Sequence, residues 1–273
     1  MGDSALRVLV ITGGHPFQAE PFFQIFDADD GIVWAHAAQP GARRWLARMR
    51  PGEFDALVFY DMPGVGLDRG RPPQPETPPD DLVAGMRALL DGGQGVVFLH
   101  HAIASWPAWD EYAQWVGGRF LYRPGSLAGR DWPDSGYAFD VTHHLSPVDP
   151  DHPVLRGLAE GLTLTDELYL APVLEDQVVP LLRSDAVFTE DRFWSSAAAI
   201  SGRRDSRDGW HHPPGSDLAA WAKRARRSPV VYLQPGDGPS AYADPGWRRL
   251  LANAIRWVAS QDAHNWAAGS DGG

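Results

Sequence analysis

The sequence predicts an α/β protein with a mainly parallel sheet and helices on both faces, and three observations carry that prediction. Largely apolar runs recur at Leu6–Ile11, Asp55–Tyr60, Gly95–Leu99 and Pro229–Leu233, the pattern of strands buried on both faces. Segments with apolar residues at helical spacing lie between them, as βαβ units require. Each run stops on a turn that carries polar groups: Thr12-Gly13-Gly14-His15, Asp61, His100-His101 and Gln234-Pro235-Gly236-Asp237.

In chain order, Leu6–Ile11 predicts the first strand, broken by two glycines that permit a tight turn. Phe22, Phe23 and Phe26 form a partial helical stripe, and Gly31–His36 predicts a second strand followed by a helix carrying Trp45, Leu46 and Met49. The third strand ends at Asp61. Gly66–Asp80 is too rich in proline and glycine for helix or ladder and reads as a surface loop, or as a lid over the sheet edge. Leu82, Val83, Met86, Leu89 and Leu90 mark a helix started by Asp80 or Asp81 and ended by Asp91-Gly92-Gly93. The central strand, Gly95–Leu99, runs into His100-His101, and a helix over Ser105–Val116 follows.

From Gly117 to Asp151 turn residues dominate, which predicts an insertion of loops and short strands within one domain. Leu162–Leu170, Val178–Leu182 and Ser195–Ile200 read as further strands and Ser201–Ser216 as a loop. The basic run Lys223–Arg227 reads as a solvated helix end. After the last strand, Trp247, Leu250, Leu251, Ala254, Ile255 and Val258 share one helix face, and Ala263–Gly273 is expected to fray.

Composition narrows the function. With 44% hydrophobic and 22% charged residues, the 273-residue chain can bury a substantial core. A net charge of -11 argues against a nucleic-acid partner. No cysteine is present, which removes disulfides, thiolate nucleophiles and cysteine metal sites together. No apolar stretch approaches the ~20 residues that span a bilayer, and Met1–Arg7 lacks the features of a signal peptide. A cytoplasmic protein without membrane partners is expected.

Parallel strands end on one sheet edge, where open α/β sheets bind ligands. That edge would gather His15, Asp61, His100 or His101, and Asp237. Imidazoles and carboxylates so grouped suit general acid–base catalysis, or, as His100 and His101 with a carboxylate, a zinc or other divalent-metal site. Asp166 and Glu167 adjoin on a strand, where alternation lets only one face the cleft; Glu167 is favoured. Trp132 reads either as a sugar-stacking platform or as an aromatic anchor for its loop. The pairs His143-His144 and His211-His212 read as solvated loop histidines. The metalloprotease, serine-hydrolase and dinucleotide signatures are absent.

Val10–His15, Gly95–Ala102, His152-Pro153-Val154 with Asp166-Glu167-Leu168-Tyr169, and the glycine turn before the Trp257-bearing helix together resemble the ThuA-like (trehalose utilisation) family, over Leu6 to Ser260. The resemblance implies a flavodoxin-like, doubly wound fold related to class I glutamine amidotransferases, forming one domain over 1–262 with an insertion at 117–151. The strand ending at His100 corresponds to the one that carries the nucleophilic cysteine in amidotransferases. Lacking that residue, this chain is excluded from their chemistry. Where relatives often carry a histidine in the last glycine turn, it has Asp237.

The resulting expectation is an enzyme of carbohydrate catabolism, a hydrolase or an isomerase or lyase, acting on a glycoside or keto-sugar. His100, His101 and Glu167 would be catalytic, His15, Asp61, Trp132 and Asp237 would bind substrate, and a divalent ion such as zinc would sit on His100 and His101. The alternatives are a non-catalytic sugar-binding or regulatory module on a degenerate amidotransferase-like fold, and an aromatic-rich scaffold that self-associates as a homo-oligomer.

Overall fold

The computed structural model describes residues 5–66 and 73–269. In order, β1 (Leu6–Gly13), α1 (Ala19–Asp27), β2 (Ile32–Ala38), α2 (Ala42–Leu46), β3 (Ala56–Asp61), the paired segments β4 (Val65–Gly66) and β5 (Gln74–Pro75), α3 (Asp80–Asp91) and β6 (Gly95–Leu99) make the first half. A 3-10 turn at His100–Ala104 leads to α4 (Asp110–Val116), the hairpin β7 (Gly125–Leu127) and β8 (Arg130–Trp132), and three longer strands, β9 (Gly136–Pro147), β10 (Leu162–Leu170) and β11 (Val179–Ser184). β12 (Trp194–Ser195), α5 (Ser196–Ile200), β13 (Leu218–Ala225), β14 (Ser228–Leu233), α6 (Pro239–Ala243), α7 (Pro245–Val258) and α8 (Gln261–Ala267) complete the chain.

The central sheet is ten-stranded and mixed, in the order β10-β9-β11-β13-β14-β6-β3-β1-β2 with β12 beside β9. Strands β2, β1, β3, β6 and β14 run parallel, whereas β13, β11, β9, β10 and β12 join by antiparallel ladders. The expectation of a mainly parallel sheet therefore holds only for the first half and β14. The basic run at 223–227 shows why. It is not a helix end: it finishes β13 and turns tightly into β14, with Arg226 at φ 57°. Parallel neighbours need a crossover of a dozen residues or more, so so short a turn enforces antiparallel pairing.

The parallel half follows simple alternation. Val8, Val10, Val58, Tyr60, Val97 and Leu99 face one core with α1 and α7, while Leu9, Ile11, Leu57, Phe59, Val96 and Phe98 face the other with α3 and α4. Successive side chains on a strand take opposite faces, so both faces need apolar cover and get helices.

Several elements differ from their sequence patterns. Within 117–151, only the β7–β8 hairpin and its flanks fit the short-segment reading; β9 is a twelve-residue strand of the main sheet. His143 lies within it, buried, with Nδ1 2.7 Å from Ser184 Oγ, not in a solvated loop. His212 is likewise buried, whereas His211 is exposed. Ser195–Ile200 is not a strand: Ser195 accepts a hydrogen bond from the Ala198 N–H and caps α5. The helix after the histidines starts at Asp110, because Trp106 takes φ 50°, incompatible with a helix through 105–109. Of the stretch expected to fray, residues 263–267 are helical, with Ala263 and Ala267 buried in α8, and 270–273 lie outside the described residues. Of the loop or lid expected at Gly66–Asp80, residues 67–72 lie outside the described residues, and Gln74–Pro75 pairs antiparallel with Val65–Gly66.

Asp61 ends β3 on the same face as Leu57 and Phe59, away from Tyr60. There it is 1% exposed and takes one hydrogen bond, from Gln39 Nε2 at 2.7 Å, leaving Oδ1 unpartnered. Burial pushes its carboxyl up to about 7, against the smaller opposing effect of Gln39. Trp247, fully buried, donates from Nε1 to the Pro235 carbonyl at 2.9 Å and so supports the turn after β14.

Trp247→Ala should cost about 3–5 kcal/mol in urea unfolding. The native state also holds the Asp61 proton more tightly than an unfolded chain, so stability should fall as pH rises from about 4 through about 7. Wild type minus Asp61→Asn stability should accordingly drop by roughly 3–4 kcal/mol between pH 4 and pH 8; a difference that stays flat would show that Asp61 is not the group responsible.

Candidate active site

His100 begins the turn that follows β6, and its φ of 44° is rare for a bulky residue. This left-handed bend carries the imidazole out of the strand direction at the C-terminal end of the parallel strands. It is fully buried. Its Nδ1–H donates to the Gln234 carbonyl at the end of β14, 2.6 Å away. Nε2 therefore faces the other way, 2.9 Å from Glu167 Oε2, 2.8 Å from Tyr169 Oη and 3.5 Å from Asp237 Oδ1. Burial alone would lower its pKa, but the hydrogen bonds and charges of Asp237 and Glu167 hold it well above the usual imidazole range.

Glu167 and Tyr169 come from β10, five places along the sheet from β6. They reach His100 because the antiparallel half curls over the end of the parallel half. The same contact is seen in the backbone: Tyr169 N–H donates to Gln234 Oε1 at 3.1 Å. A register shift between Asp166 and Leu168 breaks the alternation of β10. As a result both acidic residues serve this region, where alternation predicts only one. Asp166 accepts hydrogen bonds from the Gly236 N–H at 2.6 Å and the Asp237 N–H at 3.2 Å. Burial still raises its carboxyl to about 6.

Asp237 is held from the other side too. Its carbonyl accepts hydrogen bonds from the Tyr60 hydroxyl at 3.0 Å and the Tyr242 hydroxyl at 2.9 Å. Partial burial would raise the Asp237 carboxyl, yet His100 brings it below the usual range.

These groups open onto a cavity of about 470 Å³. Glu167, Tyr169, Asp237 and His15 are among its polar lining, and Phe17, Phe120, Tyr122, Tyr137 and Phe139 give it an aromatic wall; Ser196, Ala199 and Ile200 of α5 and Arg204 also contribute. His15 follows Gly13 and Gly14, both at positive φ, and a Cβ on Gly14 would lie 2.4 Å from the Met62 carbonyl oxygen, so only glycine fits. Burial, aided by the charge on His100, lowers the His15 pKa. His101 lies behind it, rings 4.5 Å apart, and packs on Tyr60 at 4.2 Å. Neither nitrogen of His101 has a hydrogen-bond partner, and burial pushes its pKa well down.

Of the sequence-predicted residues, His15, His100, Glu167 and Asp237 thus converge. His101 is adjacent but does not line the cavity. Asp61 is turned to the opposite face, and Trp132 sits on β8 beneath Arg130 and 6.1 Å from the His212 ring, an anchor outside this cavity. Sequence reading missed Tyr169, Tyr60, Tyr242, Gln234 and the backbone-holding role of Asp166; Tyr169, two residues beyond Glu167 on one strand, offered the only pattern-level signal.

Among the described residues, the group able to hold a metal ion is His100, Glu167 and Asp237, whose ligand atoms lie within 4.8 Å of one another. The donor set differs from the expected His100 with His101, but it fits a divalent ion. The Gln234 carbonyl fixes the His100 tautomer with Nε2 toward the carboxylates, the usual outer support of a ligating histidine. One nitrogen and two carboxylates suit zinc, manganese or iron.

The family model for trehalose utilisation, ThuA, matches residues 7–258. A putative ThuA-like protein from Parabacteroides merdae has 14% identity and a TM-score of 0.62, the match covering 94% of this chain and 91% of that one. One from Bacteroides uniformis has 17% identity and a TM-score of 0.59, covering 96% and 94%. A cytoplasmic protein from Salmonella typhimurium has 11% identity and a TM-score of 0.54, covering 93% and 99%. No curated protein matches the chain. No helix among the described residues is long and apolar enough to cross a membrane. With the family model matching across nearly its whole length, the chain belongs to the ThuA family.

Proposed function

We propose that this protein is an enzyme of carbohydrate breakdown, acting on a glycoside or keto-sugar with the help of a divalent ion held by His100, Glu167 and Asp237. The observation that carries the proposal is the convergence of those three ligand atoms at the end of an aromatic-walled cavity. The trehalose-utilisation family supports a sugar as the substrate class.

The positive charge that Glu167 and Asp237 stabilise on His100 as a proton can instead be held as a metal ion, because the same Nε2 and carboxylate oxygens face each other. Such an ion supplies Lewis acidity toward a carbonyl or hydroxyl oxygen. The protein's own groups do the rest. His15, neutral because burial and His100 lower its pKa, accepts or returns a proton at a sugar hydroxyl facing the cavity. His101 packs behind His15 and fixes its ring. The aromatic wall covers the apolar face of a sugar ring and excludes water. Asp166 and the two tyrosines keep Asp237 at its post.

Elemental analysis of the purified protein should find about one divalent ion per chain. Glu167→Gln and Asp237→Asn should each weaken binding of added manganese or zinc by 10–100-fold, while Trp132→Ala should not. His15→Ala should retain the ion yet lower turnover of glycosides or keto-sugars by about 10²-fold or more. Wild type that takes up neither zinc nor manganese, or a His15→Ala variant with unchanged turnover, would overturn these assignments.

A further inference from the structure

One cationic side chain lines the cavity, and the chemistry at His100, Glu167 and Asp237 makes no use of it. Arg204, in the loop between α5 and β13, supplies the one arginine or lysine among the cavity's described lining residues. It has no ion pair among the described residues. The neighbouring Asp205 is directed to Tyr137: its Oδ1 accepts a hydrogen bond from the Tyr137 hydroxyl at 3.3 Å, and its N–H donates to the Tyr137 hydroxyl oxygen at 3.1 Å. The guanidinium instead lies against the face of Phe139, 5.9 Å from the ring centroid, and Phe139 is itself 44% exposed at the cavity mouth. The arginine three residues on behaves differently: Arg207 stacks on Trp194 and donates to the Asp191 carbonyl, away from the cavity.

In a chain of net charge -11, a guanidinium without an ion pair among the described residues lines a cavity that already holds two carboxylates. A neutral disaccharide can accept hydrogen bonds from it but offers no charge to pair with it. A planar guanidinium with several N–H donors matches a carboxylate or phosphate. The contact with the Phe139 ring face uses none of its N–H donors.

Resting on the reading of this cavity as a sugar site, we propose that Arg204 is a specificity residue that binds an oxyanion on the substrate, so that the preferred ligand is a sugar bearing a carboxylate or a phosphate. The sugar ring lies along the aromatic wall with its hydroxyl or carbonyl toward His15, Glu167 and Asp237, and the anionic substituent reaches Arg204 at the mouth.

Calorimetric titration of the metal-supplemented protein with methyl glucoside, glucuronate and glucose 6-phosphate tests this, in wild type and in Arg204→Ala and Arg204→Lys. The expected result is at least tenfold tighter binding of one charged sugar than of methyl glucoside, the arm that wins telling carboxylate from phosphate. Arg204→Ala should erase that advantage, weakening the charged sugar at least tenfold more than methyl glucoside with no change in the unfolding midpoint, and Arg204→Lys should restore part of it. Raising salt should narrow the difference. Equal binding of charged and neutral sugars by wild type, or equal weakening of all three by Arg204→Ala, overturns the role of Arg204 and leaves the sugar site standing. Failure of all three ligands to bind wild type overturns the sugar reading and this inference together.

Discussion

The imidazole of His100 joins the two halves of the protein, and most of the site follows from how it is held. One ring nitrogen is committed to a backbone carbonyl at the end of β14, within the parallel half. The other meets Glu167 and Tyr169, which the antiparallel half delivers on β10. A buried imidazole with both nitrogens engaged has no rotational freedom left, and its charge state is set by the carboxylates around it. Because a buried charge without partners costs several kcal/mol, the fold supplies them from two strands and one turn, and the curl of the sheet is what brings these together.

The carboxylates of the protein show how far position decides chemistry. Asp61 and Asp237 both follow parallel strands, but Asp61 falls on the wrong side of the strand alternation, gains only a glutamine amide, and is driven toward its neutral form. Asp237 lies in the turn beyond its strand, where His100 draws it toward the charged form. Asp166, between them in character, spends its oxygens on the backbone amides of residues 236 and 237. It shapes the turn from which Asp237 projects. Two tyrosine hydroxyls on the carbonyl of Asp237 complete a grip on main-chain atoms that leaves the carboxylate itself exposed to the cavity.

What the sequence made legible was the part governed by local rules. Apolar runs located β1, β3, β6 and β14, and the common direction of parallel strands placed His15, His100 and Asp237 at one edge. Strand alternation lets only one of Asp166 and Glu167 face the cleft, whereas a bulge in β10 turns both toward this region, Glu167 to His100 and Asp166 to the turn after β14. Long-range geometry was not legible. Nothing in the run Lys223–Arg227 marks it as the end of a strand, since its burial depends on strands far away in sequence. The turn residues around β9 likewise concealed a twelve-residue strand. Asp61 was misplaced because reading strand ends as points ignores which face each last side chain takes. Arg204 belongs to a loop of ordinary polar composition, and only its arrival at the cavity rim gives it meaning.

The distances along the chain between the groups that touch His100 carry a kinetic consequence. Glu167 is 67 residues away and Gln234 is 134, so the site cannot be built from any local segment. Contacts of such sequence separation form late, once loop-closure entropy has been met by the rest of the fold. A chain emerging from the ribosome must expose most of its length before the last parallel strand docks beside β6 and offers its carbonyl to the imidazole. Until then His100 lacks its anchor and the two acidic residues lack their cation. The assembled site is therefore a chemical signature of completed folding.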